Sequence, residues 1–377
     1  MTLLLIVGTV VYCGLLLWLR YWWTRTDATE AAVADTEVPS PRVAVIIPVR
    51  NEALCIEALL YDLNQQTYAD FEVAVIDDAS EDDTAARVAA FVGRARFPLQ
   101  LISLPPDDTT VAHKKRAIAA GIAATSGEVI VTTDGDCRVG PGWLASLVRA
   151  YRARRPALVS APVTFLPTAE LFGQIQILEF AGLVGAGGAT MQAGHPTTCN
   201  GANLLYTRAA FERAEGFAGA DHIASGDDEL LMHKLVGTYG MTTHFYRHPD
   251  AVVRTSAHAR WRDFFRQRRR WVSKWQGYDN VWSFALSLGY FGFHLLLTLG
   301  GVLVALGWVP LVAYAGCLSV RALIEAYYLR RVMRDLGPQW STWAFVGLQV
   351  LYSPYIVFVG LLSTGPRAYI WKGRQVH

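Results

Sequence analysis

Two carboxylates separated by one glycine, Asp134-Gly135-Asp136, follow the run EVIVTT. Hard oxygens at that spacing on the end of a buried strand can hold one divalent cation, which in turn bridges a diphosphate. Such a triplet is a common accident by itself, and its place after a β-branched run is what gives it weight. Other acidic groups stand at comparable positions. VAVIIPVRNE ends its apolar run at Pro48 and offers Asn51 and Glu52, and AVIDDASEDDT ends at Asp77 and Asp78. The plain alternative for each is a turn or a helix N-cap, where Asp and Ser are favoured; for residues 80–83 that alternative is the stronger one. Asp227-Asp228-Glu229 reads equally as an acidic first turn that suits a helix dipole, with Glu229 turned to solvent. A basic-aromatic stretch, RQRRRWVSKW over residues 266–275, completes the set.

The elements that would position these groups alternate along the chain. VAVIIP (43–48), FEVAVID (71–77), LQLISL (99–104), EVIVTTD (128–134) and ALVSAPVTF (157–165) read as strands. EALCIEALLYDLNQQ, DDTAARVAAFVG, HKKRAIAAGIAAT and GWLASLVRAYRAR have helical periodicity between them. Strand, helix, strand repeated four times predicts a parallel sheet covered on both faces, an α/β, Rossmann-like fold. Such sheets bind ligands outside their carboxyl strand ends, so the acidic ends converge on one crevice.

The flanks are apolar. Residues 3–19 carry no charge and are followed by Arg20, Tyr21, Trp22, Trp23 and Arg25, which predicts a membrane-spanning anchor over residues 1–25 with a cytoplasmic C-terminal flank. The small, acidic, proline-tipped residues 26–41 read as a linker. The catalytic region then spans 42–258, an amphipathic interfacial helix 259–280, and a C-terminal region 281–377 with about three apolar segments, the last broken by Pro354 and either re-entrant or interfacial, or spanning against the positive-inside tendency. Residues 168–191 form a further apolar, glycine-rich stretch that suits a core helix or an interfacial one equally. A hydrophobic fraction of 52%, twelve tryptophans and a mean hydropathy of +0.24 agree with a membrane setting. The formal charge of +2 gives no general reason to expect a nucleic-acid partner. Five dispersed cysteines without a CxxC pair suggest neither a zinc site nor a disulfide framework.

VIIPVRNE, VIDDASEDDT, HKKRAIAAGI, TTDGDC, SGDDELL and QRRRW, in this order from Val43 to Trp271, resemble the inverting family 2 glycosyltransferases, and the apolar flanks resemble their membrane-integrated members. The resemblance implies a GT-A catalytic fold. It implies that Pro48, Asn51 and Glu52 form a nucleotide-contacting turn, that Asp77 and Asp78 recognise uracil and ribose, and that Lys114 matches the lysine of a GKxxAL pattern whose glycine is replaced by His113. Asp134 and Asp136 would match the metal and diphosphate motif, with Mg2+ or Mn2+ as the cofactor, and Asp228 the catalytic base. Residues 200–203 and 215–217 resemble the segment that closes the pocket, and Gln267, Arg270 and Trp271 the acceptor and diphosphate clamp of a QxxRW motif.

The chemistry agrees with these roles. A diphosphate leaves only when its charge is neutralised, for which Lys114, Arg270 and a cation on Asp136 are suited. An acceptor hydroxyl needs a carboxylate to take its proton, and one base with no separate nucleophile implies single displacement with inversion. On the basic helix, Gln267, Arg270 and Trp271 stand at i, i+3 and i+4 and share one face. Trp261, Phe264, Phe265, Trp271, Val272 and Trp275 recur as an apolar stripe, with Arg262, Arg266, Arg269 and Lys274 mostly elsewhere, as for a helix lying in an anionic membrane surface. The expectation is a bacterial integral membrane enzyme with a cytoplasmic catalytic domain, moving a sugar from a nucleotide sugar, a UDP-sugar by preference, to a lipid or membrane-associated acceptor. A processive polysaccharide synthase is the near alternative, and about four apolar spans are few for a polymer channel. A non-catalytic membrane scaffold or nucleic-acid binder is the remote one.

Overall fold

β1 (Val43–Val49) and β2 (Phe71–Asp78) are buried along nearly their whole length, which is why they read as unbroken apolar runs rather than alternating ones. Between them lies α2 (Ile56–Asn64), and α3 (Thr84–Phe91) and β3 (Leu99–Leu104) follow. α4 (His113–Ala123) packs on β1 and β2, β4 (Val129–Thr132) lies on the other side of β1, and α5 (Trp143–Arg154) leads to β5 (Leu158–Ser160). In this computed structural model the described residues are 1–25, 40–107, 111–220, 223, 226–272, 280–362, 369–371 and 374–376. Most of the expected linker, together with Lys274 and Trp275, lies outside them.

The chain divides into two units. One contains Thr26–Leu166, Pro196–Ser256 and Ala368–His377, the other Met1–Arg25, Pro167–His195 and Ala257–Arg367. The first is built on a seven-stranded sheet of order β3-β2-β1-β4-β7-β5-β8, where β7 is Leu204–Thr207 and β8 is Thr243–Phe245. Parallel pairing sets Val49 of β1 against Asp77 of β2 and Ile46 against Thr132 of β4. The register thereby aligns the three acidic strand ends.

The sheet is mixed, not wholly parallel, because β7 runs antiparallel to both β4 and β5. The expected strand over residues 157–165 is two. Pro162 offers no ladder donor. Beyond it β6 (Val163–Phe165) leaves the main sheet and pairs with β9 (Val253–Thr255). Asn203, fully buried, ties the break together: Nδ2 donates to the carbonyls of Pro162 and Ala251 at 2.7 Å each, and Oδ1 accepts from Trp143 Nε1 at 3.0 Å. Two short helices, α7 (Arg208–Arg213) and α8 (Glu229–His233), complete this unit.

The second unit is helical: α1 (Thr2–Thr24), α6 (Leu171–Gln192), α9 (Trp261–Val272), α10 (Val281–Ala305), α11 (Leu311–Leu336) and α12 (Thr342–Leu362). α1, α10 and α12 are long and apolar enough to cross a membrane. α12 runs on through Pro354, so the expected break is absent there. α11 is as long, but it carries Arg321 and Glu325 in its middle. These two pair at 3.0 Å, and Glu325 also accepts from Tyr12 of α1 at 2.7 Å. α6 packs on α1, α11 and α12 and belongs wholly to this unit. Among the described residues all five cysteines are unpaired with one another, Cys55 and Cys199 being only half-buried.

Candidate functional site

At the carboxyl end of β1 the chain turns through Asn51, a non-glycine residue at φ 54°. The turn is held from the β2 side. Asn51 N donates to Ser80 Oγ at 3.0 Å, Asn51 Oδ1 accepts from Glu81 N at 2.8 Å, and Glu52 N donates to Thr84 Oγ1 at 2.8 Å. Ser80 in turn bonds Asp77 through both its backbone N–H and its hydroxyl. Asp82 serves two ends, its Oδ1 accepting from Thr84 N and its Oδ2 from Ala53 N. Residues 80–84 therefore do more than cap a helix; they set the shape of the Asn51–Glu52 turn.

Asp78 is buried at the end of β2. His113 Nδ1 lies 3.6 Å from one of its oxygens and Arg116 Nη2 3.5 Å from the other. The histidine that stands where the resemblance expects glycine is thus the first residue of α4 and faces this carboxylate. Arg50, 2% exposed, donates to the carbonyls of Asp78 and Ala79 and to Glu81. It fixes the strand end from beneath.

Lys114 lies between two acidic segments. Its Nζ is 2.8 Å from Asp134 Oδ1 and 3.3 Å from Asp227 Oδ2. Burial alone would lower its pKa, but Asp134, Asp227 and Asp228 together raise it well above the ordinary lysine value. The ammonium is permanently charged at any working pH. Its neighbour Lys115 is buried and donates to the carbonyls of Ala220 and Ile223, which anchors the chain leading to Asp227.

Asp134 and Asp136 flank a glycine with no room for a side chain: a Cβ on Gly135 would come within 2.7 Å of Val49 and 3.2 Å of Glu52. The close approach seats the acidic triplet directly against the β1 turn. Cys137, just beyond, is buried with its thiol pKa pushed up, first by burial and then by Asp136 and Asp134. Among the described residues no three His, Cys, Asp or Glu side chains gather as a ligand set.

Asp228 caps α8. Its Oδ1 accepts from Glu229 N at 2.8 Å, and its Oδ2 accepts from Gly201 N at 2.9 Å. Gly201 approaches so closely that a Cβ would lie 3.0 Å from Asp227 and 3.4 Å from Asp228. The two backbone bonds account for the capping reading of Asp228. Glu229 is not turned to solvent as the sequence suggested. It is buried and accepts a hydrogen bond from Thr198, because this helix opens inside the fold. Nearby, the His233 ring has its pKa lowered, chiefly by burial, against the raising effect of Thr197 and Asp228.

The sheet unit thus gathers Asp134 and Asp227 on Lys114, with Asp136 and Asp228 adjoining in sequence, and places Pro48, Asn51, Glu52, Asp77 and Asp78 at the neighbouring strand ends. Gln267, Arg270 and Trp271 belong to α9 in the other unit. There the sequence reading missed Arg268. This arginine is 3% exposed, pairs with Glu179 of α6, and lies under Trp271. The signal was present in two places: Glu179 is the only charge in α6, and Arg268 falls on the apolar stripe, four residues after Phe264.

Residues 44–214 match the family model described as Glycosyl transferase family 2. An N-acetylglucosaminyltransferase of Rhizobium leguminosarum bv. viciae is 33% identical over 142 residues, 36% of this chain and 31% of the relative. Glycosyltransferase AglE of Haloferax volcanii is 32% identical over 33% of this chain and 40% of its own, and a dodecaprenyl-phosphate galacturonate synthase of Rhizobium johnstonii 27% over 34% and 38%. These alignments take in no more than 40% of each curated relative's length. Among solved structures, a mannosyltransferase from Pyrobaculum calidifontis in complex with GDP-Man and Mn2+ superposes with a TM-score of 0.57 at 18% identity, over 96% of this chain and 93% of that one. Its likeness supports the mixed-sheet architecture. Residues 44–214 are therefore a glycosyltransferase family 2 domain of GT-A fold.

Proposed function

We propose that the protein is a membrane-bound inverting glycosyltransferase that moves a sugar from a nucleotide sugar, with a UDP-sugar as donor, to a lipid-borne acceptor. The observation that carries this reading is the Lys114 ammonium held between Asp134 and Asp227, next to an Asp228 carboxylate fixed by two backbone N–H groups. A permanent cation, two carboxylates on it and a carboxylate held by two backbone N–H groups beside them support the reading. Asp228 takes the proton of the acceptor hydroxyl as the new bond forms, and with one base and no enzyme nucleophile the anomeric centre inverts. Lys114 neutralises diphosphate charge. The turn of Pro48, Asn51 and Glu52, with Asp77 and Asp78, binds the nucleoside.

Asp134 and Asp136 suit Mg2+ or Mn2+. Both are hard oxygen donors on a turn seated by Gly135, and a pair of carboxylates is what such an ion uses when phosphates and water complete its shell. When bound, the cation would offset charge on the departing diphosphate. The Mn2+ in the Pyrobaculum mannosyltransferase complex supports this assignment. A lipid acceptor is supported by the apolar helices α1, α10 and α12 and by the dodecaprenyl-phosphate relative. Gln267, Arg270 and Trp271 are assigned to the acceptor and diphosphate. The domain division at residues 25, 41, 258 and 280 and a cytoplasmic catalytic domain belong to the same proposal.

The test is incubation of membranes containing wild type or Asp228→Asn with radiolabelled UDP-sugars. A chloroform-soluble labelled product made only by wild type supports the reading. A long, water-soluble polymer would replace it with a processive synthase.

A further inference from the structure

α6 is an apolar helix with a single charge, Glu179, and α9 is a basic helix with one arginine on its apolar side, Arg268. Both side chains are nine-tenths or more buried. Arg268 Nε donates to Glu179 Oε1 at 2.9 Å and Oε2 at 3.2 Å, and Nη2 also donates to Oε2, so the contact is bidentate. Tyr355 of α12 donates to Glu179 Oε1 at 2.9 Å. Three helices therefore meet on one carboxylate.

The rest of the guanidinium is turned towards two residues of the QxxRW motif. Nη1 donates to Gln267 Oε1 at 2.5 Å, and the guanidinium carbon lies 4.2 Å from the centre of the Trp271 ring and 4.5 Å from that of Phe264. Arginine is a donor only, so the Gln267 amide must point its oxygen at Arg268. What Gln267 presents away from Arg268 is its NH2 group, for which no partner exists among the described residues. Trp271 is meanwhile held between Arg268 and Phe180, whose ring centre is 5.7 Å away.

We infer that Arg268, locked by Glu179, is a positioning residue that fixes Gln267 as a hydrogen-bond donor and holds the Trp271 face. The clamp so prepared offers a donor to an acceptor oxygen, and an anionic lipid-phosphate oxygen, the stronger acceptor, suits it best. This rests on the proposal that Gln267 and Trp271 bind the acceptor. Arg268→Lys keeps a charge for Glu179, but a point-like ammonium cannot serve Glu179, Gln267 and the Trp271 ring together. Gln267→Glu leaves the Glu179–Arg268 pair untouched and replaces the outward NH2 by an oxygen.

The experiment uses the full chain in lipid nanodiscs, with undecaprenyl phosphate as acceptor probe, undecaprenol as its uncharged counterpart, and UDP-glucose and UDP-N-acetylglucosamine as donors. Binding is read by native mass spectrometry and transfer by steady-state kinetics. Arg268→Lys and Gln267→Glu are expected to weaken retention of undecaprenyl phosphate at least tenfold and to raise its KM by a similar factor, a larger change than in kcat or the donor KM. Undecaprenol should bind wild type and variants alike. Retention of the phosphate lipid by Gln267→Glu at the wild-type level would overturn the inference even if wild type transfers sugar, as would failure of wild type to bind it. Binding that follows the inference in a protein that transfers sugar from no nucleotide donor would instead refute the proposed reaction and leave the clamp standing.

Discussion

The two units handle charge in opposite ways. At the strand ends, Asp134, Asp227 and Asp228 act on Lys114, with Asp136 adjoining in sequence, so carboxylates outnumber the ammonium they share, and Asp134, Asp136 and Asp228 keep partial access to solvent. In the helical unit, Arg268 is matched by Glu179 and Arg321 by Glu325, one to one, all four buried. A local excess of negative charge is a state that a bound cation relieves. A balanced buried pair has its charges already satisfied, and breaking it leaves an orphan ion. The first pattern suits the proposed ligands, and the second holds side chains in place.

The contrast predicts a hierarchy of effects. Asp228→Asn, whose single amide oxygen can keep only one of the two backbone hydrogen bonds and which cannot take a proton, should lower transfer by about 10³-fold with only a modest fall in melting temperature. Asp136→Asn or chelation of divalent ions should abolish most transfer, with activity returning on Mg2+ or Mn2+ for wild type only. In the helical unit the sign of the effect moves from rate to stability. Glu179→Ala leaves a buried guanidinium unpaired and should cost about 3–5 kcal/mol, seen as a lower melting temperature and greater protease sensitivity. An Asp228-sized loss of kcat from that variant without loss of stability would erase the distinction.

Smaller effects sharpen it. Asn203→Ala, inside the sheet unit but away from the carboxylates, should behave as a structural change, costing about 1–3 kcal/mol for each of the groups it leaves unpaired. His233 gives the smallest effect and a pH signature. Its pKa is depressed by burial, so its neutral form is the one the fold accommodates. The stability this gives is present above the unfolded value of about 6.5 and is lost as pH falls through the lower folded value. Melting curves between pH 7.5 and 5 should therefore fall less steeply with acid in His233→Gln than in wild type.

Much of the sheet is legible in the residues because its strands are buried on both faces. β1 and β2 lie within one residue of the expected ends, and α2 between them falls within the stretch of expected helical periodicity. β7 is not legible: LLYT is four residues long, sits between a turn and a short helix, and pairs antiparallel with strands distant in sequence. Pro162 could have signalled the split of the 157–165 run, since a proline inside a central strand argues against it. Asp134, Asp136 and Asp228 could be picked out by type. Their geometry could not, because Lys114 bridges segments more than ninety residues apart and Gly201 reaches Asp228 across 27. In α9 the amphipathic stripe was visible, yet the charge that organises it is the one that breaks the stripe.

The proposed sugar transfer turns on Asp228 as its base. Wild type and Asp228→Asn, each in host membranes with radiolabelled UDP-sugar and Mg2+ or Mn2+, should differ by about 10³-fold in the rate at which label enters chloroform-soluble lipid. Equal rates in the two proteins, or label that enters no lipid with wild type, would contradict it.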